Sequence, residues 1–348
     1  MSLFRKMLPL LVPIFLVLIS NVVAGPTLIS KPTSGEQLNE EPIFGVLVLE
    51  TDFSEQYTSY LPASYVKFLE GAGARVVPIW INRTREYYRD ILSQLDGVLL
   101  PGGAVSFEAP HGYAEAGFHI YQLAKEFNRN GEYFPIWGVC LGFELLAFLA
   151  AGRVNQLTDC NSIGQSMALQ FKPDFRDSRL FAGLPQDMER ILSTESVTAN
   201  FHQYCITEQN FTSLSKNWRI MSTNRDWNGL EFISSMEHKS YPFYGVQFHP
   251  EKSIYEWVGG RNISHSSDAV RVMQYFADFV VDEARKSLHH FDSDAEANRH
   301  LVYNFPETFT GANKSVFQQI YLFEQGADYP EKRKMARKIK RKQYVEQF

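Results

Sequence analysis

One of the three cysteines stands in a setting that would make it a nucleophile. Residues 138–142 read Gly-Val-Cys-Leu-Gly, with an apolar strand predicted before Cys140 and a helix predicted after it. A nucleophile at such a turn occupies a strained backbone, and small residues two positions to either side let neighbouring chains approach closely. The helix N-terminus would favour the thiolate form of Cys140. The Leu141 N–H would serve one side of an oxyanion hole.

A histidine farther along the chain has the position that a base for this thiol requires. Residues 245–251 read Gly-Val-Gln-Phe-His-Pro-Glu, an apolar strand that Pro250 ends directly after His249. Glu251 could accept a hydrogen bond from the far ring nitrogen and so fix the tautomer of the imidazole. A surface histidine beside a surface carboxylate is the ordinary origin of such a triplet. The combination with the cysteine turn favours acyl transfer, with Cys140 as nucleophile and His249 as base.

Alternating strands and helices surround the cysteine turn and would position it. Predicted strands cover about 44–50, 75–80, 97–100 and 134–139, and predicted helices cover about 61–71, 85–95, 112–130 and 141–151. This alternation predicts an α/β fold with a parallel-core sheet and helices on both faces. Ligands collect outside the carboxyl ends of such strands, where Cys140 and the turn at Gly102 and Gly103 both fall. The N–H groups of Gly102 and Gly103 are the expected second side of the oxyanion hole.

The pattern changes after residue 152, where strand-like segments follow one another with turns between them. These segments cover about 195–200, 204–207, 218–223, 230–236 and 243–248, and a long helix is predicted over 267–288. No clear linker is visible, so we predict one catalytic domain over residues 25–325 whose C-terminal half completes the sheet. Residues 326–348 are polar and in part densely basic, which predicts a solvated or disordered tail.

The composition excludes several classes of function. The 348 residues are 45% hydrophobic and 21% charged, as in an ordinary globular protein. The net charge of -5 gives no general attraction to nucleic acid, and it would slow an anionic substrate unless the site itself is locally positive. No cluster of His, Cys and Asp has the spacing of metal ligands, so neither a metal nor another cofactor is predicted. The oligomeric state is not determined by the sequence, which is compatible with a homodimer.

The N-terminus has the features of a secretory signal peptide. Two basic residues at positions 5 and 6 precede an apolar run over 7–19, and Val22 and Ala24 supply the small residues of a cleavage site. An uncleaved membrane anchor is the alternative, but the run is short for a span and contains two prolines. We therefore predict removal of residues 1–24 and no stable membrane span.

Glycosylation signals and cysteine usage agree with this route. Four N-x-S/T triplets, which predict a secreted or lysosomal glycoprotein, begin at Asn82, Asn210, Asn262 and Asn313. The mature chain keeps three cysteines, and an odd number leaves at least one thiol free in an oxidising compartment. Cys160 and Cys205 are either structural thiols or a disulfide pair, and the sequence does not choose between these.

The two chemical motifs together resemble the class I glutamine amidotransferase superfamily. Its nucleophile–His–Glu order maps onto Cys140, His249 and Glu251. Within the superfamily the chain most resembles the secreted γ-glutamyl hydrolases, and the resemblance extends to about residue 322. It is carried by P-G-G at 101–103, W-G-V-C-L-G-F-E-L at 137–145, T-A-N-F-H at 198–202 and H-P-E-K-S-I-Y-E-W at 249–257.

The resemblance implies a flavodoxin-like fold and hydrolysis of γ-glutamyl amide bonds, with folylpoly-γ-glutamates as the small-molecule substrate. Cys140 would form a thioester, and His249 would protonate the leaving nitrogen and then activate water. Glutaminase domains typically continue their turn with G-H-Q, whereas this chain continues Gly-Phe-Glu, which counts against supply of ammonia to a partner synthase. A glutaminase or another γ-glutamyl amidase is the alternative reading. A binding protein that kept the fold is a third, disfavoured because nucleophile and base are both present.

Two further residues have open roles. His202 matches a histidine that lines the family's site, which implies that it positions substrate. A strand-end histidine bonded to backbone fits the sequence equally well. Glu144 lies one helical turn beyond Cys140, where it would face the cleft, face solvent or cap the helix.

Overall fold

An eight-stranded sheet forms the centre of the computed structural model, which describes residues 38–313 and 315–330 (backbone only at 52–54 and 313). The strands in chain order are β1 (Ile43–Leu47), β2 (Leu49–Ser54), β3 (Tyr57–Pro62), β4 (Arg75–Ile79), β5 (Val98–Leu100), β6 (Ile136–Val139), β7 (Thr158–Asp159), β8 (Gln165–Met167), β9 (Gln170–Phe171), β10 (Thr198–Asn200), β11 (Tyr204–Cys205), β12 (Trp218–Arg225), β13 (Glu231–His238), β14 (Phe243–Val246), β15 (Glu307–Phe309) and β16 (Gln319–Glu324). The helices are α1 (Ala63–Glu70), α2 (Arg85–Leu92), α3 (Tyr113–Arg129), α4 (Leu141–Ala150), α5 (Arg179–Ala182), α6 (Gln186–Thr194), α7 (Lys252–Tyr255), α8 (Ser267–Ala284) and α9 (Asp294–His300).

The central sheet has the order β4-β1-β5-β6-β14-β13-β12-β9. The first five of these strands are mutually parallel, and the last three add an antiparallel extension. The predicted α/β fold with a parallel core is therefore confirmed. Because β14 lies directly beside β6, the segment that leads to His249 runs next to the segment that leads to Cys140.

Helices cover both faces of the sheet, which explains why strands β1, β6 and β14 are buried along their whole length. One apolar core includes side chains of α2, α3 and α4, and the other includes side chains of α1, α6 and α8. The amphipathic spacing of the helices produces this arrangement, because each helix turns its apolar face to the sheet.

A second sheet was not predicted from the sequence. It is antiparallel, has the order β15-β16-β3-β2 and joins residues near position 60 to residues near position 320. The predicted first strand over 44–50 is in fact two elements, since β1 ends at Leu47 and β2 begins at Leu49 in the other sheet. The predicted helix over 61–71 begins only at Ala63, because residues 57–62 form β3. Two-residue and three-residue strands form the remaining pairs, β10 with β8 and β11 with β7.

The chain continues to pack against the domain beyond residue 325. Tyr329 donates a hydrogen bond from its hydroxyl to the carbonyl of Pro78 at 2.6 Å, and Arg83 donates to the carbonyl of Ala327 at 2.6 Å. The packed part of the chain therefore extends at least to Tyr329, four residues past the predicted end of the catalytic domain at residue 325. The predicted signal peptide and residues 331–348 lie outside the described residues. Within the described residues, no helix combines the length and the apolar character needed to cross a bilayer.

Candidate active site

Cys140 occupies the turn between β6 and α4 with φ 51° and ψ -108°, a conformation that side chains other than glycine rarely adopt. The glycines on either side permit it. A Cβ at Gly138 would lie 2.6 Å from the carbonyl oxygen of Gly142, and a Cβ at Gly142 would collide with the carbonyl of Leu100. The Cys140 N–H donates to the carbonyl of Val246 at 2.8 Å, which ties the turn to β14. The predicted strained turn is present.

The His249 ring lies beside this turn. A Cβ placed on Gly102 would be 2.8 Å from Cε1 of His249 and 3.1 Å from Cβ of Cys140, so those two atoms are no more than about 6 Å apart. Both residues line the same cavity. The nucleophile and the base expected from the sequence are thus neighbours in space.

A buried carboxylate holds the imidazole. Oε1 of Glu251 lies 2.7 Å from Nδ1 of His249, and the two side chains are 1% and 5% exposed. The hydroxyl of Tyr65 lies 3.3 Å from the same ring nitrogen. The Nδ1–H tautomer donates to the carboxylate, which leaves the lone pair of Nε2 without a hydrogen-bond partner among the described residues. This is the tautomer that a general base requires.

Burial controls the protonation of the pair. Burial raises the pKa of the Cys140 thiol well above its ordinary value, and the charges of Glu144 and Glu251 raise it further. The Leu141 N–H and Lys252 lower it, but less, so the expectation that the helix N-terminus would favour a thiolate is outweighed. Burial also lowers the pKa of His249, against the opposing charge of Glu251. The free site therefore holds a neutral thiol beside a neutral imidazole at pH 7.

The N–H groups predicted to form the oxyanion hole differ in whether they already have a hydrogen-bond acceptor. The Gly102 N–H donates to the Tyr65 hydroxyl at 2.9 Å, so it is occupied. Gly103 lines the cavity, and its N–H has no acceptor among the described residues. Leu141, at the first position of α4, directs its N–H toward the Cys140 sulfur. Of the predicted donors, Gly103 and Leu141 therefore stay candidates for the oxyanion hole, whereas the Gly102 N–H already has an acceptor.

A cavity of about 280 Å³ opens over the sulfur. Its walls combine small, aromatic, aliphatic and basic residues: Tyr60, Gly103, Ala104, Cys140, Ile163, Phe201, Gln203, His249, Lys252, Arg261, Ile263, Val316 and Phe317. Size and lining are those of a site for a small molecule.

Comparison with known proteins agrees with this geometry. The family model of peptidase C26 matches residues 42–251. The gamma-glutamyl hydrolase of Bos taurus is 41% identical over 309 residues, which make up 87% of this chain and 96% of that protein. The chain belongs to the gamma-glutamyl hydrolase family. Gamma-glutamyl hydrolase B of Dictyostelium discoideum is 37% identical over 82% of this chain and 84% of its own.

Membership of this peptidase family makes the chain a cysteine-type hydrolase. A solved structure of a glutamine amido transferase from Methylobacillus flagellatus is 12% identical, with a TM-score of 0.42 over 72% of this chain and 96% of that one.

Glu144 of the hydrolase is buried below the turn and does not line the cavity. Its Oε1 accepts a hydrogen bond from Nε2 of Gln247 at 2.9 Å. Burial raises the pKa of Glu144 to about 8, so the side chain is a neutral acid at pH 7. Neither the solvent-facing nor the capping alternative describes it, since the side chain is 3% exposed and caps no backbone group.

His202 belongs to a separate group. Its Nδ1 lies 3.5 Å from the sulfur of Cys160 and 3.7 Å from that of Cys205, and these two cysteines form a disulfide. Its Nε2 faces Oδ1 of Asn200 at 3.2 Å. The side chain does not line the cavity, although its neighbours Phe201 and Gln203 do. A positioning role for His202 would therefore act through those neighbours.

Cys160, His202 and Cys205 bring sulfur and ring-nitrogen atoms close enough together to form a group of potential metal ligands. Their spacing in the sequence does not indicate such a group. Cys160 and Cys205 are separated by 45 residues and meet only because β7 pairs with β11. Because the two sulfurs are bonded to each other, they are not thiolate ligands in this structure.

Sequence reasoning assigned no role to several residues at the hydrolase site. Lys252 directly follows the H-P-E motif, and that adjacency is a signal that could have been used. Tyr65, Phe201 and Phe317 reach the site from distant parts of the chain. An aromatic residue in an apolar segment gives no local sign that it lies next to a reactive group.

Proposed function

We propose that this hydrolase cleaves γ-glutamyl amide bonds through a thioester on Cys140, with His249 as general base and acid. One observation carries the proposal: a thiol on a strained turn and an imidazole bonded to a buried carboxylate open onto the same cavity. The names of the relatives support γ-glutamyl substrates, and the resemblance of the site motifs supports folylpoly-γ-glutamates among them.

In the first step, the neutral thiol transfers its proton to Nε2 of His249 as the sulfur attacks the γ-carbonyl carbon. Glu251 stabilises the resulting imidazolium through the 2.7 Å contact with Nδ1. The negative charge on the substrate oxygen is bound by the N–H groups of Leu141 and Gly103. Each such donor typically contributes about 3 kcal/mol to lowering the barrier.

In the second step, the imidazolium returns the proton to the leaving nitrogen, the C–N bond breaks, and the thioester remains. Water then gives a proton to His249 and attacks the thioester carbon. The C–S bond breaks, the sulfur takes the proton back from His249, and a γ-carboxylic acid leaves, which then gives its proton to the released amine or to solvent. No proton is gained or lost by the enzyme over the cycle.

Incubation of the purified protein with a pteroyl-poly-γ-glutamate, followed by mass analysis of the products, tests the proposal. We expect shortened pteroyl-glutamates and free glutamate or γ-glutamyl peptides, and we expect Cys140→Ala to lose turnover while still binding substrate. Unaltered turnover in Cys140→Ala would refute the mechanism. Faster release of ammonia from glutamine than of glutamate from the polyglutamate would favour the alternative glutaminase.

We also propose that the chain enters the secretory pathway, loses residues 1–24 and reaches the lysosome or the medium. The disulfide supports an oxidising compartment. Of the four predicted glycosylation sites, Asn82 and Asn262 are exposed. Asn210 is half-buried and donates from its amide to Gln156 and Thr158, so a glycan on that nitrogen would replace at least one of the two hydrogen bonds.

Mass analysis of the protein secreted by expressing cells tests this route. We expect an N-terminus at residue 25 and a mass decrease after removal of N-glycans, reduced in Asn82→Gln and Asn262→Gln. The fourth site, Asn313, can be tested with the same substitution. A chain that retains residue 1 and stays inside the cytosol would contradict the proposal.

A further inference from the structure

The cavity above Cys140 is positively charged in a protein whose net charge is -5. Two of its lining residues, Lys252 and Arg261, are cations, and no carboxylate is among the described residues that line it. A local reversal of charge concentrates anions at a site that the protein as a whole would repel.

Lys252 is the more informative of the two, because its side chain is 5% exposed. Its ammonium lies 4.7 Å from the ring centre of Phe317 and 5.6 Å from that of Phe201. Among the described residues it forms neither a hydrogen bond nor a salt bridge. A buried charge is costly unless it is paired, and contact with two rings replaces only part of its hydration.

Two carboxylates interact electrostatically with Lys252, and each has one oxygen bonded elsewhere and one, Oε2 of Glu251 and Oε1 of Glu256, without a hydrogen-bond partner within the described ranges. Glu251 accepts from His249, and Glu256 accepts the Gln318 N–H at 2.6 Å. Neither forms a salt bridge with Lys252 among the described residues, although the charge of Lys252 acts to lower the pKa of both. The ammonium therefore has a free donor set that opens onto the cavity.

Arg261 contributes a second cation from the edge of the same cavity. Its guanidinium carbon lies 6.0 Å from the centre of the Phe201 ring, the ring that Lys252 also contacts, and the residue is half-buried. It too has no salt-bridge partner in the part of the chain that the structure describes. The guanidinium can bind a carboxylate through two parallel hydrogen bonds, whereas the ammonium acts as a point charge.

We propose that Lys252 and Arg261 select substrates by their α-carboxylates. Lys252 binds the α-carboxylate of the glutamyl residue whose γ-carbonyl Cys140 attacks, and Arg261 binds the α-carboxylate of the leaving glutamate. The inference rests on the proposed function and specifies which groups of a γ-linked substrate the enzyme recognises.

The spacing of the two cations fits this assignment. Because they lie 5.6 Å and 6.0 Å from the same ring centre, they are no more than about 12 Å apart. One γ-linked glutamate extends a chain by about 6 Å, two methylenes more than an α-linked residue, so successive carboxylates fall within that reach.

A pair of matched substrates tests Lys252: a γ-glutamyl anilide with a free α-carboxylate, and the same anilide with an α-carboxamide. We expect the wild type to prefer the carboxylate. Lys252→Gln should lower kcat/KM for the carboxylate about 10- to 100-fold and change that for the carboxamide little, since a hydrogen bond to a charged group is lost in one case only. Lys252→Arg should recover part of the preference. Arg190→Gln, which removes an exposed cation outside the cavity, is the control and should leave both values unchanged.

Replacing the anilide by a γ-linked glutamate tests Arg261. We expect Arg261→Gln to lower kcat/KM about 10-fold for this substrate and to leave the anilide unaffected, because only the glutamate leaving group carries the second carboxylate. A wild type that cleaves carboxylate and carboxamide equally well would overturn the subsite whatever the folding of the variants. A Lys252→Gln variant that keeps the circular dichroism spectrum of the wild type and slows both substrates equally would overturn it too. A wild type that cleaves none of these substrates would overturn the proposed function instead.

Discussion

Two groups of cysteine and histidine side chains lie in this hydrolase, and they differ in every property that matters for catalysis. At Cys140 the thiol is free, and His249 is bonded to a carboxylate beside a cavity. At the second group the two sulfurs are joined, and His202 faces a neutral amide outside the cavity. Burial, reinforced by the charge of His249, lowers the pKa of His202 to about 3.

The difference shows that residue type alone does not make a site. A histidine becomes a base when an anion stabilises its protonated form, and a cysteine becomes a nucleophile when it has no sulfur partner. Burial keeps His202 neutral throughout the physiological range, and none of the described carboxylates is bonded to it to stabilise its protonated form. The second group is suited to holding the segment between β10 and β11, which carries Phe201 and Gln203 into the cavity wall.

The largest contrast is expected from the two histidines. We predict that His249→Gln lowers kcat about 10²- to 10⁴-fold, the usual contribution of a general acid–base residue. His202→Gln should lower it at most about 10-fold, through displacement of the residues on either side. Steady-state kinetics on a γ-glutamyl substrate measure both. Equal losses in the two variants would mean that His202 also takes part in proton transfer.

The disulfide-bonded cysteines and the free Cys140 should differ in their effect on the stability of the fold. Removing the disulfide with Cys160→Ser and Cys205→Ser together should lower the free energy of unfolding by about 4 kcal/mol, because the bond closes a loop of 45 residues. Turnover at 25 °C should persist. Cys140→Ser should show the opposite pattern, with turnover lost and unfolding unchanged. Guanidinium unfolding and steady-state kinetics on the same preparations measure the two effects. Loss of turnover in the double variant would mean that the disulfide is needed for catalysis.

The sequence predicted the first group better than the second, for a physical reason. Cys140 and His249 sit on local signals, a glycine-flanked turn and a proline-terminated strand, and parallel strands bring their carboxyl ends to one edge. The pairing of Cys160 with Cys205 depends on two-residue strands, which are too short to leave a periodic pattern.

The same distinction applies to the fold. The alternating segments up to residue 151 predicted the parallel strands closely. The sheet that contains β3 and β16 was missed because its strands are about 260 residues apart and one of them adjoins a helix. The protonation of Cys140 was also misjudged, since the helix N-terminus is visible in a sequence and the depth of burial is not.

A second buried carboxyl, that of Glu144, lies near Cys140, and this is a further difference from the group around His202. Its pKa is about 8 in the folded protein and 4.5 when unfolded. Between those values the folded state holds a proton that the unfolded state has lost, so the free energy of unfolding falls as pH rises. At pH 7 the cost is about 3 kcal/mol.

Glu144→Gln removes this titration and keeps an oxygen that can accept from Gln247. We predict that the variant is more stable than the wild type at pH 7 and that the difference disappears near pH 4.5. Denaturant titrations at a series of pH values measure it. Equal stability at pH 7 would show that the carboxyl is ionised in the fold. His202→Gln should show the opposite dependence, because the pKa of His202 is about 3 in the folded protein and about 6.5 when unfolded. Its gain in stability over the wild type should be absent above about pH 7 and should grow as the pH falls.

The smallest effect concerns Glu251, the carboxylate that is bonded to His249 and has no counterpart among the described residues at His202. Burial lowers the pKa of His249, and the charge of Glu251 raises it again. The base acts only when neutral, so kcat/KM is lost as pH falls through this pKa, which lies below the ordinary value of about 6.5. Glu251→Gln removes the opposing charge, so the pKa falls further and the acid limb of the profile moves to lower pH.

The same substitution should lower kcat/KM on the pH plateau about 10-fold, because the imidazolium formed during attack loses its stabilising partner. The ratio of variant to wild-type activity should therefore rise as the pH is lowered through the acid limb. Glu115→Gln, which removes the carboxylate of the exposed pair with His111, should leave the profile unchanged. An acid limb that moves to higher pH in Glu251→Gln would mean that the carboxylate does not act on the base, and the distinction drawn between His249 and His202 would lose its electrostatic cause.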